Sequence, residues 1–239
     1  MQLSNLFKIS QIDRNKFCTN IIDSSAPTVD FYFLVILSTL IVSLGLIADN
    51  VILVIGGMLV TPILSPILAL ALGILINEKK VIVRSLRIFL VAIAWAFVVS
   101  FLVGISMPFN LNDNDLFAIL KPSLFTLIVA IIAGVAASFT WAKPGVNDAL
   151  PGVAVTVTLI PPLTAIGLAL SKAEWFILRD TVNVLLLNVV GILLASLAVF
   201  SLMDFYRAKK KVVEEVKEEE MIIKKEKKEK KKKVNGVKA

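Results

Sequence analysis

The chain has 239 residues, 57% of them hydrophobic and 18% charged, against about 45–50% apolar and about 25% charged in soluble domains. Residues 204–239 hold 14 of the 25 Lys+Arg and 8 of the 18 Asp+Glu, leaving a nearly neutral body of 11 against 10. With no His and a single cysteine, Cys18, the chain can build no His-based triad, no Cys/His zinc cluster and no intrachain disulfide. The apolar excess has to face something other than water, which predicts an integral membrane protein with the lipid bilayer as its first partner.

Residues 1–30 mix polar residues with Lys8, Arg14 and Lys16 and form a cytoplasmic N-terminal segment. No short apolar run with a small-residue cleavage site stands there, so no signal peptide is expected. Leu3, Leu6 and Phe7 have the spacing of a short interfacial helix.

Residues 31–203 form the transmembrane domain. Six apolar stretches, about 31–48, 51–76, 86–107, 123–142, 149–170 and 181–203, are each near the ~20 helical residues that cross a hydrocarbon core. None shows the period-two alternation of a barrel strand, so the predicted fold is all-α. Lys8, Arg14 and Lys16, then Lys79, Lys80, Arg84 and Arg87, then Lys143, and finally Arg207 fall on one side of a six-span layout. Lys121, Lys172 and Arg179 fall on the other. By the positive-inside rule this predicts a multi-pass protein of the plasma membrane with both termini cytoplasmic.

An internal repeat stands out at an offset of 100, where Pro62, Ile63, Leu68, Ala69 and Leu70 meet Pro162, Leu163, Leu168, Ala169 and Leu170. An acid–amide pair precedes each proline break, Asp49-Asn50 in one case and Asn147-Asp148 in the other. Three spans per repeat is an odd number, so repeat one (31–107) and repeat two (123–203) are expected in opposite orientations, as in many secondary transporters. Asp49 to Pro62 and Asp148 to Pro161 are both 13 residues, or about 20 Å of helix. Measured from opposite faces, both breaks then reach the middle of the bilayer.

Proline strips a hydrogen bond from a helix interior at about 3 kcal/mol. Pro62 and Pro66 are expected to free the carbonyls of Met58 and Pro62, and Pro161 and Pro162 those of Val157 and Thr158. Ile160 and Pro161 are expected to leave helical dihedrals, since each precedes a proline. The hydroxyls of Thr61, Ser65, Thr156, Thr158 and Thr164 lie nearby. Carbonyls and hydroxyls at paired breaks form a candidate pathway for a small solute or ion, while kinks satisfied by neighbouring helices are the plainer alternative. Asp49, Asn50, Asn147 and Asp148 are read as helix caps or as a gate. Asn183 and Asn188 are read as bonding to neighbouring helices. No catalytic residue, metal ligand or cofactor is indicated, and an enzyme is not expected.

Gly56-Gly57-Met58-Leu59-Val60-Thr61-Pro62 with Pro66, and Lys143-Pro144-Gly145 through Ile160-Pro161-Pro162-Leu163, resemble the uncharacterised hydrophobic family known as domain of unknown function 389. The resemblance covers about residues 31–171 and implies a membrane location and a proline-broken core. It implies no activity. Many relatives carry a larger soluble domain ahead of the spans, where this chain has about 30 residues.

Residues 204–239 alternate acidic and basic blocks around a sparse stripe of Val212, Val216 and Ile223, which predicts a frayed helix leading into a disordered Lys-rich tail. Such a tail attracts anionic lipid, whereas nucleic acid is not expected. The leading expectation is therefore a transporter or channel for a small solute or ion. The alternative is a non-transporting scaffold or sensor acting through its charged tail. A second copy of the chain is a further candidate partner.

Overall fold

The computed structural model describes residues 9–111, 116–117, 120–143, 146, 159–208, 210, 212–218 and 221. These form α1 (Gln11–Ser24), α2 (Val29–Ile47), α3 (Val51–Val60), α4 (Leu64–Leu75), α5 (Lys79–Ser106), α6 (Leu124–Ala142), α7 (Ile160–Ser171) and α8 (Trp175–Leu202), followed by a 3-10 turn at Phe205–Ala208. No strand occurs among the described residues. Side chains start several helices by taking up backbone N–H groups that the first turn leaves without partners. Ser10 accepts from the amide of Asp13, Thr28 from Phe31, Asn50 from Ile52 and Leu53, and Ser123 from Thr126.

Four helices, α2, α5, α6 and α8, are long and apolar enough to cross a membrane, and α3 with α4 makes a fifth candidate bent by 53° at its break. Helix α7 is apolar but has 12 residues, and residues 147–158 before it lie outside the described residues. The third and sixth expected spans begin earlier than hydropathy suggested, at Lys79 and Trp175. A 28-residue helix measures about 42 Å and outruns a hydrocarbon core of about 30 Å. Its first turns can therefore carry the charges that end an apolar run in the sequence.

Helix lengths recur in order. Helices α2 and α6 have 19 residues each, α4 and α7 have 12, and α5 and α8 have 28. Leu64 to Ile160 and Lys79 to Trp175 are 96 positions apart, and Val29 to Leu124 are 95. The turns recur as well. Asn77 (φ 50°) follows α4 and Ala173 (φ 57°) follows α7. In each turn the next amide reaches back to the third-last helical carbonyl, Glu78 to Gly73 and Glu174 to Ala169, both at 3.0 Å. This is the Schellman closure. Buried positions keep the same register: Ser85, Ala92, Ala96 and Ser100 of α5 match Thr181, Asn188, Ile192 and Ser196 of α8, and Ser38, Val42 and Ser43 of α2 match Ala133, Ala137 and Ser138 of α6. Helix starts and turns thus recur at spacings of 95–96 positions and not 100, which sets Pro66 rather than Pro62 opposite Pro162. Leu and Ala identities set the offset of 100, and a sequence this apolar offers them at many shifts.

Small residues bring the helices together. A Cβ on Gly45 would come within 2.8 Å of the Val54 amide nitrogen, and one on Gly57 within 3.1 Å of the Ser38 carbonyl, so α2 and α3 pack closely and antiparallel. Gly167 lies against Ser100 and Gly104 against Ser171, so α7 runs alongside α5 in the same direction. Gly134 meets Ile192 and Ala195 while Gly191 meets Ala130, and the Ser138 and Ser196 hydroxyls bond at 2.8 Å, so α6 and α8 are also parallel. Helices α4 and α7 occupy the centre. All residues from Leu64 to Gly73 are buried, as are Ile160 to Ala165 and Gly167 to Ala169.

One end of the bundle carries a cap that the sequence reading did not anticipate. Helix α1 buries Phe17, Cys18, Ile21 and Ile22, and the Phe17 ring packs on Phe200 (5.3 Å) and Phe205 (4.7 Å). The Arg14 guanidinium donates to the Met203 carbonyl at 3.2 Å, where it meets the negative end of α8. Residues 212–218 are helical, with Val212 and Val216 at 0% and 3% exposure, and the Thr19 hydroxyl donates to Glu215 at 2.9 Å. Val212 and Val216 of the stripe are therefore buried, and the Thr19–Glu215 bond places their helix beside α1. Asp23 lies beside this contact. Burial, with help from Glu215, holds its carboxyl above the usual carboxylate range against the pull of Arg84. The expected interfacial helix at Leu3, Leu6 and Phe7 and the Lys-rich segment beyond residue 221 lie outside the described residues.

Candidate functional site

Helix α3 stops where Pro62 requires it to. Thr61 takes an extended conformation (φ −79°, ψ 133°), as the residue before proline prefers, and α4 restarts at Leu64. Pro66 then falls in the first turn of α4, where a missing N–H removes no intrahelical bond. The carbonyl of Pro62, expected to be freed, is reclaimed by Ser65, whose amide (3.3 Å) and hydroxyl (2.9 Å) both donate to it. The same hydroxyl lies 2.8 Å from the Ser24 carbonyl and so ties the break to the end of α1.

The second break differs from the expectation. Ile160, Pro161 and Pro162 are helical and open α7, and the Leu163 amide donates to Leu159 at 3.3 Å. The prolines occupy the turn in which N–H groups have no intrahelical use, so they begin a helix instead of unwinding one. Val157 and Thr158, whose carbonyls were expected to be freed, lie outside the described residues, as do Asn147 and Asp148.

The starts of α4 and α7 share a further property. Neither Ile63 nor Leu159 offers a side-chain cap, so two buried half-helices present the positive ends of their dipoles without a cap from their own N-cap residues. Thr61 Oγ1 and Thr164 Oγ1 are both buried and have no hydrogen-bond partner among the described residues. A hydroxyl in an apolar interior normally finds a partner. Thr164 is fully buried, and these orphaned hydroxyls stand within a turn of the two breaks.

One cavity of about 450 Å³ joins elements of both breaks. Val54 and Met58 of α3, Val129 of α6, Pro161 and Pro162 of α7, and Val184 and Asn188 of α8 line it. Its rim carries Lys121, Ser123 and Thr126. Met58, Pro161 and Pro162 are thus brought together in the lining, whereas Thr61, Pro62, Ser65, Pro66 and Thr164 are not part of it. Asn188 lines the cavity in addition to its expected interhelical role. Lys121 entered the sequence reading only as a topology marker, since nothing in its own neighbourhood marks a rim.

Asp49 and Asn50 divide the roles proposed for them. Asn50 Oδ1 accepts from the amides of Ile52 (3.0 Å) and Leu53 (3.2 Å) and caps α3. Asp49 closes the end of α2 with φ 50°, and its carboxylate accepts from the Leu116 amide at 3.1 Å. It fastens the segment before α6 onto the α2–α3 turn, next to the cavity rim. No group of three or more His, Cys, Asp or Glu suited to a metal occurs among the described residues.

Comparison with known proteins identifies a family and gives no activity. The uncharacterized protein MJ0678 of Methanocaldococcus jannaschii is 26% identical over 168 residues, covering 70% of this chain and 52% of the relative, so the match spans about half of that protein's length. No solved structure matches. Residues 58–194, which include both proline breaks and most of the buried centre, match the family described as Domain of unknown function (DUF389). An all-helical bundle with several apolar helices long enough to span a bilayer, and a family match over more than half of its length, make this chain a member of the DUF389 family.

Proposed function

We propose that this protein carries or conducts a small solute or ion across the plasma membrane along a path between the starts of α4 and α7. The observation that carries the reading is the cavity in which Met58, the last buried residue before one break, meets Pro161 and Pro162, the start of the other half-helix. Six crossings in two repeats, the second inverted, accommodate the parallel pairs α5 with α7 and α6 with α8 and the tight turns that reverse the chain between α4 and α5 and between α7 and α8. Gly57 faces the middle of α2 at Ser38 and Val42, so the first break comes about a turn beyond the centre of that helix. Gly167 faces Ser100, and α7 begins seven residues earlier, level with the centre of α5. Two half-helix N-termini at similar depth, with orphaned hydroxyls nearby, are the equipment of a polar path through lipid. The distribution of Lys and Arg supports cytoplasmic termini. The Lys-rich tail adds attraction to anionic lipid on that side.

The experiment replaces Cys18 by Ala and introduces Met58→Cys, Thr61→Cys or Thr164→Cys singly. A charged, membrane-impermeant thiol reagent is then applied to cells and to inverted vesicles. Modification at Met58 and at one or both threonines supports the path, and complete protection of all three from both sides overturns it. A second reading, a sensor acting through its tail, is favoured by the docking of Val212, Val216 and Glu215 on α1. It predicts that deleting residues 209–239 abolishes the phenotype while the spans and any flux remain intact.

A further inference from the structure

The cavity between α3 and α6 asks for an occupant that the transported solute does not explain. Among the described residues its lining is apolar apart from Asn188 at depth and Lys121, Ser123 and Thr126 at the rim. Water is poorly served there, because a stable buried water needs two to four polar partners. Leaving the space empty forfeits dispersion contacts along the whole lining. Val51, Phe125 and Val129 of the lining are 51%, 75% and 37% exposed, so the cavity opens on the surface of the bundle beside the first turns of α3 and α6. The hydroxyls of Ser123 and Thr126 and the Lys121 cation gather at one end, and beyond them the described lining is alkyl and proline surface with Asn188 as its one polar side chain. Lys121 is the single charged side chain among the described lining residues. It sits just before the first turn of α6, whose N-terminus adds partial positive charge.

We propose that this cavity is a binding site for one anionic phospholipid from the surrounding leaflet. One acyl chain enters between α3 and α6 beside Val54 and Val129, short of Met58, Pro161 and Pro162, and the headgroup phosphate pairs with Lys121. The site goes beyond the transport reading: the lipid is a resident that seals the side of the path and holds α3 against the bundle. Helix α3 needs such support, since Val51, Ile52, Leu53, Ile55 and Leu59 are all exposed and only Val54, Gly57 and Met58 are buried.

Native mass spectrometry of the full chain, released from detergent after equilibration with equal amounts of phosphatidylglycerol and phosphatidylcholine, tests the proposal. One retained phosphatidylglycerol per chain, preferred at least about fivefold, is expected. Lys121→Gln should bring the two lipids to parity, and Val129→Trp, which fills the cavity, should remove both while far-UV circular dichroism stays unchanged. If Val129→Trp does not fold, Val54→Phe serves the same purpose. A wild-type chain that retains no lipid, a cavity-filled variant that retains it, or a Lys121→Gln variant with undiminished preference overturns the proposal. Displacement by an equal amount of palmitate also overturns it, by reassigning the site to a free fatty acid. Lipid retention is read without any flux measurement, so a chain that holds lipid yet seals its breaks from water would defeat the transport reading alone.

Discussion

Gly167 and Gly104 set the position of α7, and their substitution tests that placement quantitatively. A Cβ on Gly167 would overlap Ser100 Oγ and come within 2.9 Å of the Phe101 amide nitrogen, a backbone atom that moves only with all of α5. Overpacking of this kind costs about 1–3 kcal/mol, while exchanging Gly for Ala inside a helix returns up to about 1 kcal/mol. Gly167→Ala should therefore destabilise by about 1–2 kcal/mol, a factor of roughly 5–30 in the folded ratio. Ser100→Gly should rescue it only in part, because the backbone overlap remains. On Gly104 the added atom would meet the Ser171 side chain and Leu168 Cδ2 at 3.3 Å. These are side-chain atoms, and Ser171→Gly should restore most of the loss in a double-mutant cycle. Gly56 is the control: nothing lies within 4 Å of its added Cβ, so Gly56→Ala should be neutral or stabilising. Equilibrium unfolding in mixed micelles, followed by far-UV circular dichroism, reads all three. Equal stability of Gly167→Ala and Gly56→Ala would refute the close packing of α5 and α7 and the position of the α7 start with it.

Three other outcomes follow. Pro162→Ala and Pro66→Ala should change stability by less than about 1 kcal/mol in the same assay, since both prolines stand in first turns; a gain near 3 kcal/mol would mean that they interrupt continuous helices. Asn50→Ala should cost about 1 kcal/mol through loss of the α3 cap, and no change in the unfolding midpoint would show that the cap contributes nothing. The carboxyl of Asp23 is held above its ordinary value of 3.8, so its contribution to stability is fully present below that value and declines as pH rises through the higher folded value. Asp23→Asn should accordingly match or exceed the wild-type melting temperature at pH 7, with the difference closing near pH 4. A variant markedly less stable at pH 7 would show that pairing with Arg84 outweighs burial and repulsion.

The sequence disclosed much of this molecule because bilayer and helix physics leave strong local marks. Apolar runs marked α2, α3 with α4, and α6, and Pro62 marked the end of α3. It was less informative where the deciding partner is distant. Val212 and Val216 look like a trivial stripe until α1 is brought beside them, and Lys79 and Lys80 look like loop residues until α5 is seen to outrun the bilayer. Pro161 and Pro162 were misjudged for another reason. A proline pair unwinds a helix interior but favours a helix start, and the two differ only in where the helix begins. The Schellman turns after α4 and α7 recur at a spacing of 96, which Leu/Ala identity does not mark. Lys121 joins the cavity rim in the segment that Asp49 fastens by its bond to the Leu116 amide, a contact that no local pattern encodes.

The central claim is that two similar halves lie in opposite orientations, and the turns at equivalent positions test it most directly. Lys79 and Trp175 are the first residues of α5 and α8, and both are exposed. Single cysteines placed at either position in a Cys18→Ala background can be labelled with an impermeant maleimide on intact cells and on inverted vesicles. The account predicts that position 175 reacts from outside and position 79 only in inverted vesicles. Reaction of both from the same side would contradict the inverted repeat and the path built on it.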